Sequence, residues 1–378
     1  MPTSRHWLKD EQTPYLLLDE QRFIRNVERL AARITKLGCQ LRPHLKTLRS
    51  IDAARQMLPN ADAPATVSTL AEAEAFAAAG YKDLLYAVGI VPTKLSRVAK
   101  LMQGGVNLHI LLDTEAQAQA VIEYQALHNV AFSVFIEIDC DDHRGGLIPS
   151  DPKILTIAQL LHAHGVTLTG LMTHSGGSYG ATTHEAIRQA AQQECDAVLT
   201  AAQTLRQRGL ACPLLSVGST PTAHFAEQLS GISEVRAGVY TTFDLVMYNL
   251  GVCQLDDIAM SVVTSVIGHN VEKNWLFVDA GWMALSRDRG TASQHCDYGY
   301  GLVCDSMGQP ISGCHVTQVN QEHGVIELPS HLTVSQFPIG TQLRILPNHA
   351  CATAAMHQHY TVLKADGSKA VWPRILGW

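Results

Sequence analysis

Short apolar runs alternate with longer stretches of helical periodicity between residues 40 and 240. A run of about four to eight residues rich in branched and aromatic side chains is typical of a buried strand. Such runs predict eight strands, at Gln40–Thr47, Ala65–Leu70, Asp83–Ile90, Asn107–Asp113, Phe132–Cys140, Thr167–His174, Leu214–Thr220 and Glu234–Tyr240. Alanine-rich helical stretches lie between them and include Thr69–Ala79, Thr114–Ala126 and Thr183–Arg208. Eight strand–helix units in succession predict an α/β fold, a (β/α)8 barrel of the TIM type.

The pattern changes on either side of this barrel. Pro14–Asp19 is a short apolar run, and Asp19 can cap a helix whose apolar positions recur every three or four residues from Phe23 to Leu37. After Asn249, short strand-like runs are divided by Gly, Pro, Asn and Asp, at Ile258–Ile267, Trp275–Val278, His315–Asn320, Gly324–Leu328, Gln342–Leu346 and His359–Leu363. We therefore predict a barrel domain of residues 20–250 and a mostly-β domain of residues 251–378, which the strand within residues 1–19 joins.

Composition narrows the class of protein. The formal net charge is −6 and only 16% of the residues are charged, so the chain lacks the basic field that holds nucleic acid. Residues 1–7 lack the regions of a signal peptide, and no apolar run approaches the roughly 18 residues of a membrane span. The nine cysteines show no CxxC spacing, which favours a reducing compartment. We expect a cytoplasmic enzyme that binds neither nucleic acid nor membrane.

Polar residues stand at the ends of the predicted strands, where barrels of this type hold their active sites. They are Lys46 after the first strand, Ser68 and Thr69 after the second, Asp139–Arg144 after the fifth, His174 after the sixth, Ser219 and Thr220 after the seventh, and Tyr240 after the eighth. Lys46 is the candidate functional centre, although a lysine in a strand is more often an ordinary surface residue.

Two glycine-containing loops follow the seventh and eighth predicted strands. They are Gly218-Ser219-Thr220 and Gly238-Val239-Tyr240. Barrels commonly bind phosphate at this position through backbone N–H groups and hydroxyls, and glycine lets the backbone approach the oxygen atoms closely. A GST triplet alone is more often an ordinary turn, but with Lys46 at the same barrel mouth it predicts a phosphate-binding loop.

The segment LPNHAC contains His349 and Cys351, two positions apart. In an extended segment both side chains point to the same face and can share one metal ion. An HxC pair alone is more often a chance spacing. A thiolate with an imidazole suits zinc.

Several motifs are similar to those of one enzyme family. They are RPHLKT (42–47), VDAGWMALSRDR (278–289), NQEHG (320–324), LPNHACAT (346–353) and the terminal WPR (372–374). The chain resembles the family of D-serine dehydratase-like enzymes and D-threonine aldolases, whose fold is that of alanine racemase. The resemblance implies pyridoxal 5'-phosphate bound covalently to Lys46, with its phosphate at the two glycine-containing loops.

The resemblance also implies roles for other residues. His174 would stack on or hydrogen-bond the cofactor ring, and Arg144 and Tyr179 are candidates for contacts with the phenolic oxygen and the ring nitrogen, with no choice between them. His349 and Cys351 would bind a divalent metal, which is zinc, manganese, cobalt or magnesium. A homodimer is expected.

The implied activity is the dehydration of a D-3-hydroxy amino acid, such as D-threo-3-hydroxyaspartate or D-serine, to a 2-oxo acid and ammonia. Lys46 would remove the Cα proton while the metal polarises the β-hydroxyl. Cys351 favours dehydratase, since aldolases more often have aspartate there. A second substrate carboxylate would need Arg287, Arg289 or the metal.

The alternatives are retro-aldol cleavage to glycine and an aldehyde, and a non-catalytic protein that binds pyridoxal phosphate. Racemisation is disfavoured because VDAGWMALS offers no second-domain tyrosine.

Overall fold

The computed structural model describes residues 7–378. The prediction that the N-terminus lacks a signal peptide therefore falls almost entirely outside the described residues. The twelve α-helices of the described residues are α1 (Trp7–Asp10), α2 (Glu20–Lys36), α3 (Ile51–Met57), α4 (Leu70–Ala78), α5 (Leu95–Gln103), α6 (Glu115–His128), α7 (Lys153–Ala163), α8 (His184–Gln207), α9 (Thr220–Phe225), α10 (Leu245–Asn249), α11 (Trp282–Leu285) and α12 (Ala350–Ala355).

The same residues form seventeen β-strands. They are β1 (Tyr15–Asp19), β2 (Gln40–Leu41), β3 (Ala65–Val67), β4 (Asp83–Gly89), β5 (Asn107–Leu112), β6 (Ser133–Ile138), β7 (Thr167–Thr173), β8 (Leu214–Val217), β9 (Glu234–Val235), β10 (Met260–Asn270), β11 (Trp275–Val278), β12 (Leu302–Cys304), β13 (Pro310–Val319), β14 (Gly324–Glu327), β15 (Gln342–Leu346), β16 (His359–Leu363) and β17 (Lys369–Pro373).

The chain divides into two compact units. One contains Arg29–Gly238 and Ile375–Trp378, and the other contains the residues up to Glu28 and Val239–Arg374. These limits differ from the predicted domains 20–250 and 251–378, because α2 crosses the first boundary and the segment after Gly238 packs with the second unit.

The first unit is an eight-stranded parallel barrel. The strands pair in the order β3-β4-β5-β6-β7-β8-β9-β2. The barrel closes where Thr66 N donates to Pro43 O at 2.9 Å, beside a parallel bridge between His44 and Thr66. Inside it, Leu85, Leu111 and Phe135 form one buried apolar cluster across neighbouring strands. The predicted barrel is confirmed, with a strand within each of the eight predicted segments.

The second unit is a mostly antiparallel sheet of nine strands. The long β10 pairs with both β15 and β11, so that β10, β11, β14, β13, β12 and β15 form a closed ring. β1 adds to β10 on one side and to β16 on the other, and β17 forms the edge. This arrangement confirms the predicted fold class, in which a strand-rich domain follows the barrel.

Four predicted strands extend too far, into helical turns. Ala65–Leu70 ends at Val67, before α4, and Leu214–Thr220 ends at Val217, before α9. Strand β2 ends at Leu41, and Lys46 lies in a 3₁₀ turn, Leu45–Thr47. Pro43 has no N–H to continue the strand ladder, so the chain turns out of the barrel after it. Tyr240 likewise lies in a 3₁₀ turn, Val239–Thr241, after the short strand β9.

The predicted extended conformation around His349 and Cys351 is also wrong. His349 is the N-cap of α12, and Cys351 lies within the helix. The alternation of an extended strand therefore does not bring these two side chains together; the first turn of a helix does. All nine cysteines are free thiols, and no helix within residues 7–378 is both long and apolar enough to cross a bilayer.

Candidate functional site

Lys46 lies at the mouth of the barrel on an exposed turn between two buried residues, Leu45 and Thr47. His44 precedes the turn and its Nδ1 accepts a long hydrogen bond, 3.4 Å, from Lys46 N. The buried neighbours fix the backbone of the turn, so the lysine side chain extends from a rigid base.

Two imidazoles near Lys46 are held in the neutral form. Burial, followed by the positive charge of Lys46, lowers the pKa of His174 to about 3. The same two causes hold the pKa of His44 well below its usual value. Nδ1 of His174 donates to Gly218 O at 2.9 Å, which leaves Nε2 unprotonated. Both histidines are therefore neutral at physiological pH.

The Gly218-Ser219-Thr220 loop is tightly braced. Gly218 has a φ of +128°, and a Cβ atom there would lie 2.2 Å from Arg236 O, so only glycine fits. Ser219 Oγ lies 2.9 Å from Ser178 Oγ, which joins this loop to the one after β7. Thr220 Oγ1 is buried and has no hydrogen-bond partner among the described residues.

Glu194 on α8 hydrogen-bonds to the loops that follow β7 and β8. Its carboxylate accepts hydrogen bonds from Ser175 N at 2.8 Å and from Thr222 Oγ1 at 2.9 Å, and it also bonds to the backbone of Gly218. Burial raises the pKa of Glu194. The sequence analysis missed this residue, although an acidic side chain on the apolar face of a helix was a usable signal.

The second glycine-containing loop is also close-packed at Gly238, although less tightly than the first loop is at Gly218. A Cβ atom on this residue would lie 3.0 Å from Thr47 Oγ1 and 3.3 Å from His44 O, so the backbone passes close to the Lys46 turn. Val239 and Tyr240, which follow, belong to the other unit. Tyr240 is fully buried, and burial raises its pKa. Its hydroxyl finds no hydrogen-bond partner within residues 7–378.

Arg144 and Tyr179 lie on the loops after β6 and β7. Arg144 is exposed, its N–H donates to Asp139 Oδ2 at 3.3 Å, and its charge acts on the nearby Glu137 and His174. The ring of Tyr179 lies 6.1 Å from that of His174, centroid to centroid. The structure thus brings both Arg144 and Tyr179 near His174.

Arg236 is a buried cation that the sequence analysis missed. Its guanidinium donates to Ser216 Oγ and Thr173 O, and its charge acts on both His44 and His174. Burial lowers its pKa, partly offset by Glu234. The sequence did contain a hint of its role, since Arg236 stands two residues before the glycine-containing loop that begins at Gly238. This cation is a further reason why both imidazoles stay neutral.

These features fit pyridoxal 5'-phosphate. The unpartnered Thr220 hydroxyl and the close-lying glycine backbones are what a phosphate group would satisfy, and Lys46 supplies the amine that a carbonyl cofactor needs.

The second unit holds the His349–Cys351 pair. The two side chains hydrogen-bond to each other, and Nδ1 of His349 lies 2.8 Å from Asp288 Oδ2. Burial alone would lower the pKa of His349, but the bonds to Asp288 and Cys351 raise it to about 11. The bond to His349 in turn lowers the pKa of Asp288. With Nδ1 bonded to Asp288, a metal could take Nε2 and the thiol as ligands in place of the hydrogen bond between the two side chains.

No group of three or more His, Cys, Asp or Glu side chains within residues 7–378 is arranged to hold a metal. The donor set of this pair is nevertheless chemically suitable, since imidazole and thiolate are zinc ligands and catalytic sites keep positions open for water or substrate.

Two arginines beside this pair differ in their contacts. Arg289 forms an ion pair with Asp297 at 2.6 Å and lies over the ring of Tyr300. Arg287 lies over the ring of Trp282, 4.8 Å from its centroid, and forms no ion pair with a carboxylate of the described residues. Arg287 is thus the arginine with its charge available.

Comparison with known proteins relates both units to described domains. Residues 18–245 match the model of the alanine racemase N-terminal domain, and residues 259–363 match that of a putative serine dehydratase domain. The D-threo-3-hydroxyaspartate dehydratase of Delftia sp. (strain HT23) is 47% identical, over 97% of this chain and 98% of that protein. The D-serine dehydratase of Dictyostelium discoideum is 30% identical, over 94% of each.

Solved structures agree with these matches. An alanine racemase-like protein from Idiomarina loihiensis has a TM-score of 0.97 and 61% identity, over 99% of each chain. A metal-free cysteine-to-alanine mutant of D-threo-3-hydroxyaspartate dehydratase has a TM-score of 0.96 and 46% identity, over 98% of this chain and 99% of that one. The D-threonine aldolase of Arthrobacter sp is more distant, at 26% identity over 95% of this chain and 91% of that protein. The chain therefore belongs to the alanine racemase-like family in which a serine dehydratase domain follows the alanine racemase domain.

Proposed function

We propose that the chain is a dehydratase that converts a D-3-hydroxy amino acid to a 2-oxo acid and ammonia. The observation that carries this proposal is the contact of His349 with Cys351, backed by Asp288, in a chain whose barrel carries the Lys46 turn. Hydroxide is a poor leaving group, and this donor pair suits a metal that assists its departure.

The barrel loops would hold pyridoxal 5'-phosphate. We assign the phosphate to Gly218, Ser219, Thr220, Gly238, Val239 and Tyr240. His174, Arg144 and Tyr179 would contact the ring. When bound at Lys46, the cofactor supplies an electron sink for the electron pair left at Cα. The neutral Nε2 of His174 adds no positive charge beside the ring.

Lys46 would act as the general base. Its Nζ takes the Cα proton of the substrate, a role worth about 10²–10⁴ in rate for a well-placed base. The low pKa values of His44 and His174 leave neither imidazole protonated at neutral pH, so neither competes as an acid.

Reduction with borohydride tests the role of Lys46. We expect mass spectrometry to find the reduced cofactor on Lys46 and on no other lysine. Lys46→Ala should abolish both the label and the activity, whereas Lys94→Ala, which removes the ammonium that donates to Tyr86 Oη, should keep both. A label on another lysine would refute the assignment.

His349 and Cys351 would hold a divalent metal, which is zinc, manganese, cobalt or magnesium. A metal at this pair would supply Lewis acidity to the β-hydroxyl, an effect worth several kcal/mol. The retro-aldol alternative uses the same groups, but the relatives named as aldolases, at 25% to 26% identity, are less similar than the dehydratases of Delftia sp. and Dictyostelium discoideum, at 47% and 30%.

Product analysis decides between the reactions. The holoenzyme is incubated with D-threo-3-hydroxyaspartate, D-serine and D-threonine, before and after EDTA. We expect ammonia and a 2-oxo acid, lost on chelation and restored by metal. Glycine and an aldehyde would establish the aldolase reaction instead. An absorbing cofactor without any turnover would favour the non-catalytic alternative.

We propose a substrate with a second carboxylate, recognised by Arg287 and not by Arg289, which is already paired with Asp297. Arg287→Ala should lower kcat/KM for D-threo-3-hydroxyaspartate about 10- to 100-fold, the equivalent of about 1.5–3 kcal/mol for a charged hydrogen bond, and leave D-serine nearly unchanged. Arg289→Ala is the matched control. Equal losses on both substrates would contradict this role.

We further propose a cytoplasmic homodimer without nucleic-acid or membrane partners. The nine free thiols favour a reducing compartment, and the net charge of −6 argues against nucleic-acid binding. The dimer is proposed from the family resemblance. Light scattering of the purified holoenzyme measures the oligomeric state, and a monomer would contradict the dimer.

A further inference from the structure

The carboxylate that contacts His349 belongs to a rigid turn of residues 286–290, which we name the Asp288 turn. Asp288 N donates to Ser286 Oγ at 3.2 Å, and Gly290 N donates to Asp288 Oδ1 at 2.8 Å. The other oxygen, Oδ2, contacts Nδ1 of His349. Both carboxylate oxygens are therefore occupied, and the orientation of the carboxylate is determined.

The turn itself is held in an uncommon conformation. Ser286 is buried and has a φ of +73°, which a residue with a side chain rarely adopts. Such strain persists where the surrounding structure imposes it, and it concentrates at functional sites. At Gly290 a Cβ atom would lie 3.0 Å from Asp288 Oδ1 and 2.9 Å from Val246 Cγ2. The turn thus leaves little freedom around Asp288.

The backbone on either side of His349 is held separately. Asn348 donates to Asp288 O at 3.3 Å and to Gly299 O at 2.6 Å. Ala350 N donates at 3.0 Å to Asp244 Oδ2, the N-cap residue of α10. These three bonds fix where the His349 backbone lies, but none of them decides which ring nitrogen carries a proton.

We infer that Asp288 is a positioning residue that keeps the proton on Nδ1 of His349 and so presents Nε2, together with the Cys351 thiolate, to the metal. An ionised carboxylate only accepts hydrogen bonds, so Nδ1 must donate to it. Partners of this kind fix the ring orientation and the tautomer of a metal-binding histidine, and their loss typically lowers metal affinity about 10- to 100-fold.

This inference rests on the metal site of the proposed function, but it concerns metal affinity and not the reaction. Cobalt(II) and zinc are used as probes in chelator competition on the cofactor-loaded protein. We expect Asp288→Asn to bind both metals about 10- to 100-fold more weakly, because an asparagine amide can donate to Nδ1 and favour the wrong tautomer. Asp288→Glu, which keeps the carboxylate, should recover part of the loss.

Asp297→Asn is the matched control, since it makes the same change at a nearby carboxylate that is paired with Arg289, whereas His349 contacts Asp288. Its metal affinity should equal that of the wild type. The thiolate-to-cobalt absorption band should persist in saturated Asp288→Asn, because Cys351 still binds. If Asp288→Asn does not fold, Ser286→Ala, which removes only the hydroxyl that accepts from Asp288 N, should still lower affinity severalfold.

The outcomes are distinct. Equal affinities in wild type, Asp288→Asn and Ser286→Ala would overturn the positioning role, as would a wild-type protein that binds neither metal. An aldolase product pattern would refute the proposed dehydratase reaction while leaving a measured affinity difference, and with it this inference, intact.

Discussion

Single residues of this protein are constrained most where backbone passes close to backbone. Gly218 shows this, since its φ of +128° and the 2.2 Å approach of a Cβ atom to Arg236 O both exclude a side chain. By contrast, a Cβ atom on Gly180 would meet nothing within 4 Å. The two glycines lie on loops at the same end of the barrel. Comparing an alanine substitution at each position therefore distinguishes the effect of backbone strain from that of an added methyl group.

At the residue scale we therefore predict that Gly218→Ala lowers both the stability and the cofactor affinity. The strain of a disfavoured backbone alone costs about 1–3 kcal/mol, and the clash adds to it. Thermal unfolding with and without pyridoxal 5'-phosphate measures the effect. Gly180→Ala is the control and should melt close to the wild type. Equal melting temperatures of the two variants would contradict this explanation of Gly218.

At the scale of elements, charged side chains inside the barrel connect neighbouring strands and also reach from β2 across β3 to β4. Arg42, after β2, contacts Glu234 on β9 at 2.7 Å and Asp83 on β4 at 2.8 Å. Glu234 also accepts from Ser216 Oγ at 2.6 Å, and Ser216 in turn accepts from Arg236. A chain of polar contacts thus runs from the barrel interior to the cation near His174.

Removing one charge from this chain should be costly. Glu234→Gln leaves Arg42 buried without a full partner, and breaking a buried ion pair typically costs about 3–5 kcal/mol. Glu74→Gln removes an exposed pair with Arg97 and should cost about 1 kcal/mol or less. Urea unfolding measures both variants. A Glu234→Gln effect as small as that of Glu74→Gln would indicate that the network contributes little.

At the scale of the whole molecule, the buried ionisable groups make stability depend on pH. His44 and His174 have lowered pKa values in the folded protein, so the unfolded chain binds more protons below its own histidine pKa of about 6.5. The contribution of these two neutral imidazoles to the free energy of unfolding is complete above that pH and is lost as the pH falls. The raised pKa values of Glu137 and Glu194 have the opposite effect. The folded protein holds these protons more tightly than the unfolded chain does, so their contribution to the free energy of unfolding falls as the pH rises above about 4.3.

We predict that His174→Asn flattens the decline of stability between about pH 6.5 and about pH 3, the pKa of His174 in the folded protein. The comparison uses urea midpoints of the cofactor-free protein across this range. His359→Asn, which changes an exposed histidine on β16, is the control and should keep the wild-type slope. An unchanged slope in His174→Asn would show that this imidazole is not held neutral by folding.

Local patterns determined much of this protein from its sequence. Apolar periodicity over spans of about ten residues predicts the eight barrel strands, the long helix α8 and the strand-rich second part. This periodicity depends only on residues that are close together in the sequence. Gly218 and His174 could also be picked out from the sequence as candidate site residues, because they follow strands whose ends meet at one mouth of a parallel barrel.

Tertiary structure decided the rest. Neither the 3₁₀ turn at Lys46 nor the helical placement of Cys351 followed from periodicity. Pro43 is a local signal that periodicity does not weigh, and the first N–H group of α12, on Ala350, is capped by Asp244 from 106 positions away. The pairing of Asp288 with His349 joins residues 61 positions apart, and that of Arg42 with Glu234 joins residues 192 apart. No local pattern encodes such separations. They exist only because strands and loops from distant parts of the chain pack together, and burial there selects which charged partners meet.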